Sequence, residues 1–138
     1  DMNTTPSTFI GRSVLGMAIA ATAVVLVPGA ASANDADVRV SGKCSGNSVW
    51  KLKAKPEDGG RIEVEFEVDS NKVGQTWNVV LRDNGTTFWS GTRKTLAPSG
   101  SFSVSKLTNN RAGTDTLVGR ATNPATGEVC RGTLAFNG

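Results

Sequence analysis

The stretch Val49–Asp69, "VWKLKAKPEDGGRIEVEFEVD", constrains the fold more than any other part of the chain. Trp50, Leu52 and Ala54 alternate with Lys51, Lys53 and Lys55, and after a Pro/Gly turn Ile62, Val64, Phe66 and Val68 alternate with Arg61, Glu63, Glu65, Glu67 and Asp69. Successive side chains of a strand point to opposite faces, so each run carries one apolar and one charged face. Pairing Lys55 with Arg61 sets Ala54 against Ile62, Leu52 against Val64 and Trp50 against Phe66, while Lys53 meets Glu63 and Lys51 meets Glu65. That hairpin register satisfies both faces, and a one-residue slip would reverse them. Trp50 is therefore expected in the core and the Lys/Glu ladder in solvent. Glu63, Glu65, Glu67 and Asp69 form an acidic stripe, but alternate strand positions lie about 7 Å apart, too far to converge on one cation.

The same pattern continues in short runs separated by turn residues, with no helical period after Ala33. "VRVSGKC" places Val38, Val40, Gly42 and Cys44 on one face. "SGSFSVS" offers Phe102 and Val104, "DTLVGRAT" offers Leu117, Gly119 and Ala121, and "VCRGTLAF" offers Cys130, Gly132, Leu134 and Phe136. About seven or eight such strands in one domain predict an all-β fold, a single antiparallel β-sandwich. No repeat and no second domain is indicated.

Ahead of the domain lies an apolar run from Val14 to Val27, preceded by the single basic residue Arg12 and followed by "PGAASA". This reads as a signal peptide over residues 1–33, cleaved after Ala33, with the secreted domain spanning 34–138. A membrane anchor is the alternative, but the run is short for a bilayer of about 30 Å and is interrupted by Gly16 and Pro28. Cleavage is expected to leave no membrane attachment. The two cysteines, Cys44 and Cys130, stand near the ends of this domain, and in an exported chain they predict a structural disulfide. A redox pair would call for a C-x-x-C spacing and a helix to lower a thiol pKa.

Fifteen basic against 12 acidic residues give a net charge of +3, dispersed and not interleaved with aromatics, so nucleic acid is not an expected partner. The chain has no histidine and no tyrosine. That removes the commonest general base, the commonest zinc ligand and every histidine-activated nucleophile. The carboxylates fall in the exposed ladder or in turns, as at Glu57, Asp58 and Asp83, with no apolar recess expected to raise a pKa. Ser105 and Lys106 are adjacent, so on a strand they face opposite ways. The expectation is a non-enzymatic protein with no metal and no cofactor.

"GQTWNVVLRDNGTTFWSG" (74–91) carries two of the three tryptophans on the arms of a hairpin. Asn84-Gly85 is a strong signal for a two-residue type I′ turn, and "NGT" is a tight turn before it is a glycosylation acceptor. An unbroken register from that turn pairs Leu81 with Phe88 and Val80 with Trp89. Trp77, Val79, Leu81 and Phe88 then share the core face. Asn78, Val80, Arg82, Thr87, Trp89, Gly91 and Arg93 share the other. A three-residue loop shifts the pairing by one, bringing Trp89 inside and sending Phe88 out. With the two-residue loop, Trp89 flanked by Arg82, Arg93, Val80 and Asn78 is the candidate binding site, with two readings open: an arginine stem covers the indole, or a partner does.

"GRIEVEFEVD", "GQTWNVVLRDNG", "GTDTLVGRATN" and "TGEVCRGTL", with the cysteine placement, resemble small secreted actinobacterial (Streptomyces-type) immunoglobulin-like β-sandwich proteins over most of residues 38–136. The resemblance implies export and an immunoglobulin-like architecture, and it brings no assigned activity. The spacing of Cys44 to Trp50, and the lack of a tyrosine two residues before Cys130, depart from a true immunoglobulin domain and leave strand order open. The leading expectation is a secreted protein-interaction module, an adaptor or linker subunit of an extracellular assembly such as a secreted bacterial toxin particle. Its partner would be another secreted protein, and the segment "NDAD" could add to that partner's sheet edge. The alternative is a carbohydrate- or cell-wall-binding module that presents Trp89 to a polysaccharide.

Overall fold

The computed structural model describes residues 37–137. The leader over residues 1–33, its cleavage site, and residues 34–36 at the expected start of the domain lie outside the described residues. Eight strands follow in order: β1 (Val38–Lys43), β2 (Val49–Glu57), β3 (Arg61–Asp69), β4 (Thr76–Asp83), β5 (Thr86–Lys94), β6 (Ser101–Asn109), β7 (Thr114–Thr122) and β8 (Val129–Asn137). All pairings are antiparallel. They build a first sheet in the order β1-β2-β3-β6 and a second in the order β5-β4-β7-β8. The core lies between them, with Leu52, Val64, Phe66 and Val104 from one sheet against Trp77, Leu81, Leu117 and Leu134 from the other.

The alternation of β2 and β3 settles the faces as expected, but the register differs by two residues. Ala54 pairs with Val64, Leu52 with Phe66, Trp50 with Val68, Lys55 with Glu63 and Lys53 with Glu65. The cause is the turn. β2 runs on through Pro56 to Glu57, and only Asp58, Gly59 and Gly60 connect it to β3, both glycines having positive φ (78° and 68°). A two-residue slip keeps every side chain on its face, so the apolar pattern alone cannot exclude it. Pro56 is tolerated because β1 begins opposite Ala54, and no β1 partner reaches the proline. The charge ladder survives, with Lys53 to Glu65 at 3.1 Å and Lys55 to Glu63 at 3.4 Å. Burial alone would raise the Glu65 pKa, yet hydrogen bonds from Lys53 and Ser103 outweigh it and hold the carboxyl below its ordinary value.

One side of the sandwich is closed by the Cys44–Cys130 disulfide, which ties the end of β1 to β8 and so joins the two sheets. Glu128 reinforces it by accepting hydrogen bonds from Ser48 N–H (2.9 Å), Gly46 N–H (3.1 Å) and Ser48 Oγ (3.1 Å). Trp50 packs beside this seam in space left by missing side chains. A Cβ added at Gly132 would stand 2.4 Å from its ring, and one at Gly42 would stand 2.7 Å away. Strand order differs from an immunoglobulin domain. Here β2 and β3 are neighbours in one sheet, whereas the immunoglobulin arrangement sends its second and third strands to opposite sheets.

Candidate functional site

The β4–β5 hairpin answers the Trp89 question in a way that neither sequence register foresaw. The turn has two residues, with φ of 49° at Asn84 and 84° at Gly85, the doubly positive geometry of a type I′ turn. Asp83 pairs with Thr86 and Arg82 with Thr87, as the two-residue loop requires. The register then shifts between Leu81 and Arg82, so that Leu81 faces Trp89 and Phe88 is the extra residue of a bulge. Phe88 and Trp89 both pack against the core cluster. The expectation that Trp89 faces outward opposite Trp77 is therefore corrected. Two adjacent aromatics cannot both reach a core by alternation, and the bulge lets them.

Trp89 lies over Gly91, where an added Cβ would come within 2.7 Å of the ring. The Arg93 guanidinium lies 4.8 Å and the Lys106 ammonium 5.1 Å from its centroid. Of the two open readings, cover by an arginine matches this geometry. Each such contact contributes about 0.5–1 kcal/mol at a partly exposed site. The five candidate residues thus divide. Trp89 and Arg93 plug the β5/β6 side of the sandwich, while Asn78, Val80 and Arg82 alternate onto the outer face of the second sheet. Trp77 is fully buried and Trp50 half-buried, so no tryptophan among the described residues offers a free platform.

Sequence reasoning missed a buried carboxyl pair. Asp83 and Asp115 are 1% and 0% exposed, beneath the β6–β7 loop. Asp83 Oδ2 accepts a hydrogen bond from Thr108 Oγ1 (3.1 Å), with Arg111 Nε at 3.7 Å, and Asp115 Oδ1 accepts one from Arg111 N–H (3.1 Å). Burial, then the neighbouring Asp115 carboxyl, raises the Asp83 pKa, against the opposing pull of Thr108 and Arg111. The signal was present in the pattern. Asp83 has the parity of Trp77, Val79 and Leu81, and Asp115 that of Leu117, Gly119 and Ala121. The buried pair ties β4 to β6 and to the β6–β7 loop.

A pH dependence follows from that raised pKa. The folded state holds the Asp83 proton more tightly than the unfolded chain, so this contribution to stability is full below the ordinary value of 3.8 and is lost as pH rises through the raised one. Asp83→Asn removes the titration while its amide can still accept from Thr108 and donate to Asp115. The stability of Asp83→Asn relative to the parent is expected to rise with pH across that window and then level off. Thermal melts from pH 3 to pH 8 would show it, and a relative stability that falls with pH would refute it.

Two open grooves are lined largely by charged and hydroxyl side chains. A groove of about 460 Å³ on the first sheet is lined by Lys51, Lys53, Glu65 and Glu67, among others, and one of about 320 Å³ at the disulfide end includes Ser48, Lys72 and Glu128. No group of three or more His, Cys, Asp or Glu side chains among the described residues could hold a metal.

The sheet edges differ more than the grooves. β5 is bulged, β6 turns Lys106 toward the interior side, and β1 has only six residues and ends on Lys43. Each is a device that discourages strand addition. β8 has nine residues in regular register, with no lysine, proline or bulge. Asn123 N–H bonds Glu128 O (2.9 Å) on the β7 side, so the backbone of Val129 points to the free edge, where Ser45 N–H meets its carbonyl (2.8 Å) and Ser45 Oγ its N–H (2.9 Å). By antiparallel alternation the backbone groups of Arg131, Thr133 and Ala135 point the same way. No protein-family model matches the chain, and no curated protein or solved structure matches it.

Proposed function

We propose that this is a non-enzymatic, secreted interaction module, an adaptor or linker subunit of an extracellular assembly, that accepts an extended segment of another secreted protein along β8. The observation that carries the reading is the β8 edge beyond Val129, whose outward backbone at Arg131, Thr133 and Ala135 has neither lysine, proline nor bulge, beside three edge strands that each carry a lysine or a bulge. Strand addition draws its affinity from backbone hydrogen bonds and its specificity from alternate side chains, so it needs no pocket and no aromatic platform. The inter-sheet disulfide supports export, because such bonds persist in oxidising compartments. The domain is immunoglobulin-like in the sense of two facing sheets joined by a disulfide, with its own strand order. A toxin particle is one assembly such a subunit would suit.

Thr133→Pro tests the reading. The Thr133 N–H points to the free edge, so proline there removes no β7–β8 ladder bond and blocks an incoming strand. Affinity capture from native culture supernatant with the parent protein is expected to recover a defined partner that Thr133→Pro loses while keeping its melting temperature within a few degrees. Equal recovery by both proteins, or no stoichiometric partner, would overturn the proposal.

A further inference from the structure

The outer face of the second sheet carries charge of one sign. Arg82, Lys94, Arg120 and Arg131 are exposed there, and no outward position of β4, β5, β7 or β8 is an Asp or Glu. The first sheet is built oppositely, with Lys53 and Lys55 facing Glu65 and Glu63 across β2–β3. On the second sheet Arg120 stands directly opposite Arg131, a like-charge pair that destabilises an antiparallel ladder. Alternation makes it a non-hydrogen-bonded pair, the kind in which side chains approach closest. Arg82 faces Val118, two residues along β7 from Arg120, so the three arginine positions run diagonally across β4, β7 and β8 over about 12 Å. Their hydrogen bonds on this face go to hydroxyls, Arg82 Nε to Thr87 Oγ1 (3.2 Å) and Arg131 Nη1 to Thr133 Oγ1 (3.2 Å).

We infer that this face binds an acidic polysaccharide, whose carboxylates seat on Arg82, Arg120 and Arg131. Guanidinium groups bind carboxylates through paired hydrogen bonds, and the surrounding Thr and Ser hydroxyls suit sugar hydroxyls. The outward strand positions hold no aromatic side chain other than those drawn into the bulge, so unstacked nucleobases and neutral sugars find no stacking surface. Charge is the handle. The inference uses side chains of the face, and strand addition uses backbone groups of the edge; Arg131 and its partner Thr133 belong to both, so the test is placed at Arg120 on β7, which leaves β8 unchanged.

The experiment is titration with polygalacturonate at low salt, with dextran as the neutral control and duplex DNA as the rival polyanion. Arg120→Glu replaces the like-charge pair by an ion pair with Arg131, so this variant is expected to fold with undiminished stability. It should weaken polygalacturonate binding about tenfold or more. Lys43→Glu, on the outer face of the first sheet, makes the same change in net charge and should weaken binding less than about twofold. No binding by the parent, equal loss in both variants, or binding to dextran would overturn the inference. Tighter binding to duplex DNA with the same Arg120 dependence would overturn it in favour of nucleic acid.

Discussion

Replacing Cys44 and Cys130 together by alanine is expected to cost about 4 kcal/mol of stability and to lower the melting temperature by on the order of 20 °C. The bond spans 86 residues, nearly the whole described domain, so its loss frees most of the unfolded chain. Closing a loop of that length is worth about 4–5 kcal/mol in the chain-entropy model. The folded state loses little else. Cys130 is fully buried, but alanine fills most of its volume, and the Glu128 bonds to Gly46 and Ser48 still hold the neighbouring loops. Urea denaturation of the parent, the double variant and the reduced parent measures the effect. A difference below about 1 kcal/mol would show that β1 is held by its ladder with β2 alone.

Trp77→Ala is expected to cost about 3–5 kcal/mol, the most of any truncation among the tryptophans. Trp77 is 0% exposed and packs against Phe102 with ring centroids 6.4 Å apart. Alanine would leave a cavity between sheets already pinned by the disulfide and free to collapse only in part. Its indole Nε1 finds no hydrogen-bond partner among the described residues, and a buried donor left unpaired is costly. Trp77→Phe should therefore lose much less than Trp77→Ala, because phenylalanine keeps most of the ring and removes the orphan donor. Trp89→Ala, at the partly open side, should cost only about 1–2 kcal/mol. Equilibrium denaturation of the three variants sets the order. Equal costs for the alanine variants at Trp77 and Trp89 would refute the core-versus-plug distinction.

Much of the fold was legible because burial and side-chain period coincide. Residues such as Ile62, Val64, Phe66 and Val68 could face only one way, and all are buried. The cysteine pairing followed from having only two. The register of β2 against β3 was not legible, since Leu52 finds an apolar partner in Val64 or in Phe66 equally well. Asp83 is readable by parity, but its place beside the Asn84-Gly85 turn suggests solvent, whereas its strand places it under the β6–β7 loop. The candidate site split for a different reason: one inserted residue changed which side of the sheet Trp89 and Arg93 joined.

The sequence by itself determined that this chain makes alternating strands, which residues of most strands turn inward, and that a type I′ turn sits at Asn84-Gly85. Those are local consequences of period two and of glycine's freedom at positive φ. Only the tertiary structure decided the bulge at Phe88, because its benefit lies in the opposite sheet. Phe88 and Trp89 both pack against a core built from both sheets, and Lys106 of β6 reaches the Trp89 ring. The same assembly gathers Arg82, Arg120 and Arg131 from three strands into one row. Far apart in the chain, they become neighbours only through the pairing of β4, β7 and β8.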